Sequence, residues 1–334
     1  MCLFPKLINN PKYRANKKNG GVIPPVLDER VTMVPIGCGK CIECMKKRAR
    51  EWQVRLTEDI KEHKNGTFLT LTFSLESLKE LYKEVNEKAR RLDRNAEIVG
   101  YDLDNAVCTL AVRRFLKRWQ KETKKSVRHW LVTEIGGKNT EHVHLHGIIY
   151  SKNVEMIKRK WGYGYVWAGY EGKETYVNET TIAYVVKYMT KTDEKHPNYK
   201  AIILTSPGIG NKYTERHDYK NNAYKPGETK EYYRNAKGTK LALPIYYRNK
   251  RYTEEEREKL WIEKLDKGER YVLGNKVDVK QGEEKYIRAV EEARKTNKEL
   301  GYGGEEEEWD KVEYEKQLRR LKQMERIEKN KKKK

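Results

Sequence analysis

The first strong periodicity in the chain lies at Trp52, Leu56 and Ile60, apolar positions every four residues among charged neighbours. That is the spacing of one helix face, and it predicts a helix from Cys41 to about residue 64. Gly66–Phe73 then alternates polar and apolar residues and is rich in Thr and Phe, which predicts a strand. A mixed, helix-forming stretch follows over about 75–97, and Leu110, Val112, Phe115, Leu116 and Trp119 mark the buried stripe of a helix over about 105–124. Strands are expected at His129–Ile135 and His142–Tyr150, joined by Gly136-Gly137-Lys138-Asn139. A short helix at Val154–Trp161, a strand at Gly164–Tyr170 and a helix at Glu179–Lys191 complete the pattern. The order β-α-β-β-α-β-α, with a central hairpin, predicts an α+β fold: an antiparallel sheet with helices on one face, ferredoxin-like in outline.

The flanks read differently. Residues 1–37 hold five of the nine prolines with much Asn and Gly, an irregular arm. Residues 192–251 are rich in Tyr, Lys, Asn and Gly and only weakly periodic. Residues 252–300 and 309–334 read as charged helices around the acidic break Glu305–Glu308. Four consecutive regions follow: 1–64 (arm, Cys cluster and basic helix), 65–195 (core), 196–251 (basic Tyr-rich extension) and 252–334 (charged helical region).

Composition sharpens the partner class. The formal charge is +22, and residues 1–251 carry +21 of it, so the last quarter is charge-dense but balanced. Sustained positive charge on a folded region points to a polyanion, first of all nucleic acid. Mean hydropathy is −1.00. No apolar run reaches the ~18 residues of a membrane span, and the N-terminus lacks a signal-peptide pattern. The expectation is an intracellular protein without a membrane partner.

Candidate chemistry begins in Glu141-His142-Val143-His144-Leu145-His146-Gly147, where three of the seven His stand at every second position. A strand sends alternate side chains to one face, so the three imidazoles project together. A lone His in a strand is more often packing than a ligand; a row of three, with Glu134 closing the neighbouring strand, favours a divalent metal site. Two His and one carboxylate leave positions open for phosphate oxygens, as Mg²⁺ or Mn²⁺ requires. Glu134, His144 and His146 are the expected ligands, with His142 in reserve.

Tyr184 and Tyr188 stand at i, i+4 in the expected helix, on one face, and Lys187 and Lys191 each follow a Tyr by three residues. Alone this would mean packing, since the chain holds 23 Tyr. An ammonium beside a phenol favours the phenolate, and beside a phosphate it neutralises charge.

Together these motifs resemble the HUH endonucleases. His144-Leu145-His146 is similar to their His-hydrophobic-His element, and Tyr184-Val185-Val186-Lys187-Tyr188-Met189-Thr190-Lys191 to the two-tyrosine motif of their rolling-circle initiators. Phe68-Leu69-Thr70-Leu71-Thr72-Phe73 resembles the family's first motif, and Glu134-Ile135-Gly136-Gly137 its acidic-ligand segment. Cys38-Gly39-Lys40-Cys41-Ile42-Glu43-Cys44, Ser206-Pro207-Gly208-Ile209-Gly210 and Leu243-Pro244-Ile245-Tyr246-Tyr247-Arg248-Asn249-Lys250 extend the resemblance to the replication initiation proteins of the Microviridae, especially the gokushovirus-like branch. It covers roughly residues 36–275; His142 is an addition to the family's pair. The resemblance implies a phage protein in the cytoplasm of a bacterial host that nicks and rejoins single-stranded origin DNA through a 5′-phosphotyrosine. Tyr188 or Tyr184 would be the nucleophile, Lys187 and Lys191 would serve the phosphate or phenolate, and host helicase and polymerase would be partners.

Cys38, Cys41 and Cys44 put three thiols in seven residues, followed by Lys46, Lys47, Arg48 and Arg50. A closed structural zinc site needs four ligands, and Cys2, on a long arm, is the expected fourth. An iron–sulfur cluster also accepts close Cys, but the Cys-Pro ending common in such runs is missing. Cys108 reads as a lone core residue. The basic run is expected to contact DNA. Two classes stay open: a tyrosine-nucleophile DNA nickase (phage initiator, or a plasmid initiator, relaxase or transposase of the same superfamily), and a zinc-stabilised nucleic-acid-binding protein without chemistry.

Overall fold

The computed structural model describes residues 2–136, 141–169, 177–192, 196 and 199–304. Contacts divide the chain into two units, Met1–Val54 with Lys212–Glu305, and Arg55–Asn211. The elements in chain order are β1 (Lys6–Asn9), β2 (Met33–Ile36), α1 (Ile42–Glu62), β3 (Thr67–Leu71), α2 (Leu75–Leu92), α3 (Gly100–Thr123), β4 (His129–Ile135) and β5 (Val143–Ile149). They continue with α4 (Val154–Trp161), β6 (Val166–Trp167), α5 (Glu179–Lys187), β7 (Ile203–Thr205), α6 (His217–Lys220), β8 (Tyr232–Arg234), β9 (Lys240–Ala242), α7 (Ile245–Arg251), α8 (Glu254–Asp266), β10 (Glu269–Val272), β11 (Asn275–Asp278) and α9 (Glu284–Glu299).

The unit Arg55–Asn211 is built on a five-stranded sheet in the order β6-β3-β5-β4-β7. Every pairing in it is antiparallel. The central β5 lies between β3 and β4, so the two β-α-β halves interleave as in a split βαβ motif. Alternation decides the faces. Leu69, Leu71, Leu131, Val143, Leu145 and Ile149 pack with Val107, Phe115, Ile157 and Trp161 of α3 and α4 and with Leu78 and Leu81 of α2. Each fully buried large side chain in that layer contributes roughly 1.5–3 kcal/mol. Helix ends are fixed locally: Ser74 accepts from Ser77 N–H to start α2, Asn153 from Met156 N–H to start α4, and Gly162 at φ 62° stops α4.

The expectation of helices on one face holds for α2, α3 and α4. Helix α5 is different. The Phe68 ring meets Tyr184 at 5.8 Å and the His146 ring meets Tyr188 at 4.1 Å, so α5 lies against the opposite face. It also ends earlier than the expected residue 191. Tyr188, Met189 and Thr190 donate to Val185, Val186 and Lys187 carbonyls, three residues back, and the helix tightens into a turn. The strand expected over 164–170 is the two-residue β6, and Tyr170 lies outside the described residues. Weak periodicity hid β7, which adds an edge beside β4.

The other unit joins segments remote in sequence, where the reading by regions had kept the arm and the C-terminal quarter apart. The arm is not wholly irregular: β1 and β2 pair antiparallel, Lys6 opposite Ile36. Leu3, Cys41 and Ile42 pack with Val272 and Ala293. Asn297 of α9, 2% exposed, accepts from the Ile42 N–H through Oδ1 and caps the start of α1. Lys12 and Tyr13 both donate to Glu258 of α8. Residues 252–300 therefore contain the β10–β11 hairpin as well as charged helices. The stretch 309–334 lies outside the described residues. A second apolar cluster is built mostly from tyrosines: Tyr213, Tyr219, Tyr233, Tyr247 and Tyr252 pack with Leu243 and Leu260.

Candidate active site

Register brings the expected ligands together. Glu134 pairs with His144 across β4–β5, and Val132 with His146, so the three side chains share one face of adjacent strands. Their donor atoms lie within 4.8 Å of one another. Both imidazoles aim at one oxygen: His144 Nε2 is 3.1 Å and His146 Nε2 2.7 Å from Glu134 Oε2. The far ring nitrogens are held too. His146 Nδ1 lies 2.9 Å from the Thr70 hydroxyl, and His144 Nδ1 lies 3.2 Å from the His142 carbonyl. Outer partners of this kind orient metal-ligating imidazoles.

The His142 carbonyl can only accept, so its hydrogen bond puts a proton on His144 Nδ1. Nε2 then turns a lone pair towards the Glu134 carboxylate, a repulsive contact unless a proton or a metal cation lies between. Burial disfavours the charged form of Glu134, but hydrogen bonds from His144, His146 and Lys191 outweigh it and hold the carboxyl well below its ordinary range. Burial also lowers the His146 pKa below its usual 6.5, against the pull of Glu134, which favours the neutral, ligating imidazole. Two neutral-capable imidazoles and a carboxylate converging on one point fit a divalent cation. His142 is not part of the cluster; it touches the site through its backbone.

Gly147, directly after His146, is fixed by close approach. A Cβ there would sit 2.1 Å from the Trp130 carbonyl oxygen and 2.8 Å from the Leu131 Cα.

The tyrosines lie on the same face. The Tyr188 ring stacks on His146, with planes 6° apart, and its hydroxyl donates to Tyr184 Oη at 2.7 Å. Tyr184 is 51% exposed. Burial, the hydrogen bond to Tyr184 and the Glu134 charge push the Tyr188 phenol well above its ordinary 10. The expected lowering by lysine is therefore not seen. Lys191 instead places Nζ 2.5 Å from Glu134 Oε1, and Lys187 is exposed. Thr70 escaped the sequence reading as a site residue, although it lies in the Phe68–Phe73 strand and alternation put it on the His face.

In the other unit, the Sγ atoms of Cys2, Cys38, Cys41 and Cys44 also lie within 4.8 Å of one another, with Cys2 and Cys41 3.9 Å apart. Tetrahedral zinc with Zn–S of about 2.3 Å needs sulfurs about 3.8 Å apart. Backbone N–H groups of Phe4 and Cys38 point at Cys2 Sγ, and those of Lys40 and Cys41 at Cys38 Sγ. Hydrogen bonds from Cys41 and Cys44 pull the Cys38 thiol far below its usual range, so it is a thiolate. The set fits a structural zinc ion. Cys108 is fully buried in α3 and apart from both clusters. On α1, Lys46, Lys47 and Arg50 are exposed, while Arg48 is half-buried and its pKa is lowered by burial.

Residues 66–193 match a family of replication-associated proteins whose description names the ORF2 protein. That stretch contains Thr70, Glu134, His144, His146, Tyr184, Tyr188 and Lys191. The chain is also 27% identical over 170 residues to Replication-associated protein ORF4 of Chlamydia phage 1, a match covering 47% of this chain and 38% of that protein. Both matches support the resemblance to phage replication initiators drawn from the motifs. No solved structure matches the chain.

Proposed function

We propose that the chain is a rolling-circle replication initiator of a Microviridae-type phage, an HUH endonuclease that nicks and rejoins single-stranded DNA at an origin. The observation that carries this reading is the pair of hydrogen-bonded tyrosine hydroxyls on the sheet face where Glu134, His144 and His146 converge, with Tyr188 stacked on a ligand ring. The similarity of residues 66–193 to replication-associated proteins supports it.

Glu134, His144 and His146 would hold Mg²⁺ or Mn²⁺, which when bound supplies Lewis-acid polarisation of a phosphodiester oxygen. Tyr188 attacks first: its Oη bonds to phosphorus as the P–O3′ bond breaks, giving a 5′-phosphotyrosine and a free 3′-OH. The phenolic proton has a path along the existing hydrogen bond to Tyr184, whose hydroxyl reaches solvent. The departing 3′ oxygen takes up a proton and can prime a host polymerase. The link keeps the phosphodiester energy, so a 3′-OH can attack it and rejoin the strand without ATP. Tyr184 can cut a second time while Tyr188 is still esterified. Lys191, half exposed and already beside Glu134, is the residue to meet a phosphate oxygen, with Lys187 on the outer side.

Lys46, Lys47 and Arg50 would neutralise phosphates, and Arg48 would contribute less because it is half-buried. Zinc on the four cysteines would fix the start of α1, where these residues lie. Among the described residues no helix is long and apolar enough to cross a membrane. The site of action is the cytoplasm of a bacterial host, where helicase and polymerase are available.

The test is a denaturant-stable adduct between the full chain and single-stranded origin DNA in Mn²⁺. Wild type should form it, Tyr188→Phe should lose most of it, and Tyr184→Phe/Tyr188→Phe all of it. An adduct surviving in the double variant would overturn the assignment; none in wild type would favour a binding protein without chemistry.

A further inference from the structure

The β8–β9 hairpin has two unlike faces. Tyr233, 2% exposed, and its cross-strand partner Leu241 turn inward to the tyrosine cluster. Tyr232, Arg234 and Lys240 occupy the alternate, outward positions. Arg234 stands directly opposite Lys240, and both cations lean on one ring, Arg234 at 5.8 Å and Lys240 at 4.8 Å from the Tyr232 centroid. Lys237 extends the charge into the turn, and all three cations are exposed. No acidic side chain pairs with any of the three among the described residues. Like charges directly opposite on a hairpin are unfavourable, so this arrangement costs stability that a bound anion would recover.

We infer that the outward face of β8–β9 is a binding surface for single-stranded DNA, with Tyr232 as a stacking platform and Arg234, Lys237 and Lys240 as phosphate contacts. An aromatic ring flanked by cations is what unpaired bases with regularly spaced phosphates require: the ring takes a base face, and the cations take the phosphates on either side. A duplex offers phosphates but no open base face. An acidic peptide offers charge without a stacking partner. The inference rests on the reading that the chain acts on DNA, but its residues lie in a different unit from Glu134, His146 and the two tyrosines.

The experiment measures binding of a labelled oligothymidylate to the full chain by fluorescence anisotropy across a salt series. Arg234→Ala/Lys240→Ala should flatten the slope of log K against log salt by about 1.4, at about 0.7 per phosphate contact on a single strand. Tyr232→Ala should weaken binding about tenfold and Tyr232→Phe should restore it, because stacking needs the ring and not the hydroxyl. Circular dichroism on each variant confirms the fold. An unchanged slope in the double variant overturns the inference. So does equal weakening for oligothymidylate and polyglutamate with no effect of Tyr232→Ala, which would mark a general anion patch. Tyr184→Phe/Tyr188→Phe should bind the oligonucleotide with the wild-type slope. An adduct persisting in that variant would sink the chemical reading and leave this one standing.

Discussion

The Tyr188 ring lies flat on the His146 imidazole, with centroids 4.1 Å apart and planes 6° from parallel. The contact ties a residue just past the end of α5 to the middle of β5, and so sets a candidate nucleophile against a candidate metal ligand. On its other edge the same imidazole is held by Thr70 at 2.9 Å. Its orientation is fixed from both sides.

Thr70→Val keeps the shape of the strand and removes the hydroxyl that orients His146. Mn²⁺ affinity, measured by isothermal titration calorimetry, should fall 10- to 100-fold, about the loss when an outer partner of a ligating His is removed. Thermal unfolding should barely move. Wild-type affinity in Thr70→Val would show that stacking on Tyr188 alone orients the ring.

His142 and His144 should separate cleanly. His142 meets the site through its carbonyl, which alanine retains, so His142→Ala should bind Mn²⁺ about as wild type does. His144→Ala should lose tight binding. Equal losses in the two variants would make the extra His a ligand.

Cys41 is buried and its thiol lies 3.9 Å from that of Cys2. Elemental analysis of purified protein should find about one zinc per chain, and none in Cys41→Ser. Chelation should lower the melting temperature of wild type and leave that of Cys41→Ser unmoved, because metal binding at a structural site is folding free energy. Equal zinc in both proteins would remove the site.

Asp59, 3% exposed, accepts from Arg128 and, at 2.7 Å, from the Gly210 N–H. Burial alone would raise its carboxyl; the hydrogen bonds from Arg128 and Gly210 outweigh burial and hold it below its usual 3.8. A depressed carboxyl contributes stability that is present above its unfolded pKa and lost as pH falls through the folded one. Asp59→Asn should therefore cost about 3 kcal/mol at pH 7, since it leaves Arg128 uncompensated. The gap from wild type should narrow below about pH 4. Urea denaturation across that range reads both, and a pH-independent gap would contradict the role given to the charge.

Gly147→Ala tests why a glycine follows His146. The added Cβ would meet the backbone of β4, which cannot move aside without shifting Glu134. Destabilisation of at least about 3 kcal/mol is expected, at the upper end for overpacking. Chemical denaturation giving a loss below about 1 kcal/mol would mean that β4 yields easily.

How much of this was legible in the chain depends on range. Alternation in His142–His146 is a property of any strand, so a shared imidazole face followed from spacing alone, and four residues between tyrosines put them on one face of a turn or helix. The cysteine spacing and the net charge of +22 were equally local facts. Other features need partners distant in sequence. That α5 covers the His face, that Thr70 steadies His146 and that Lys191 sits on Glu134 rather than on a phenol depend on how the sheet orders its strands. Asn297 capping α1, and the arm packing with the C-terminal hairpin and helix, are likewise invisible to any window of periodicity. The sequence by itself determined the donor types and their local phase, because side-chain direction repeats along a strand or helix. Only the tertiary structure decided which donors meet, because strand order and register bring remote residues within bonding distance.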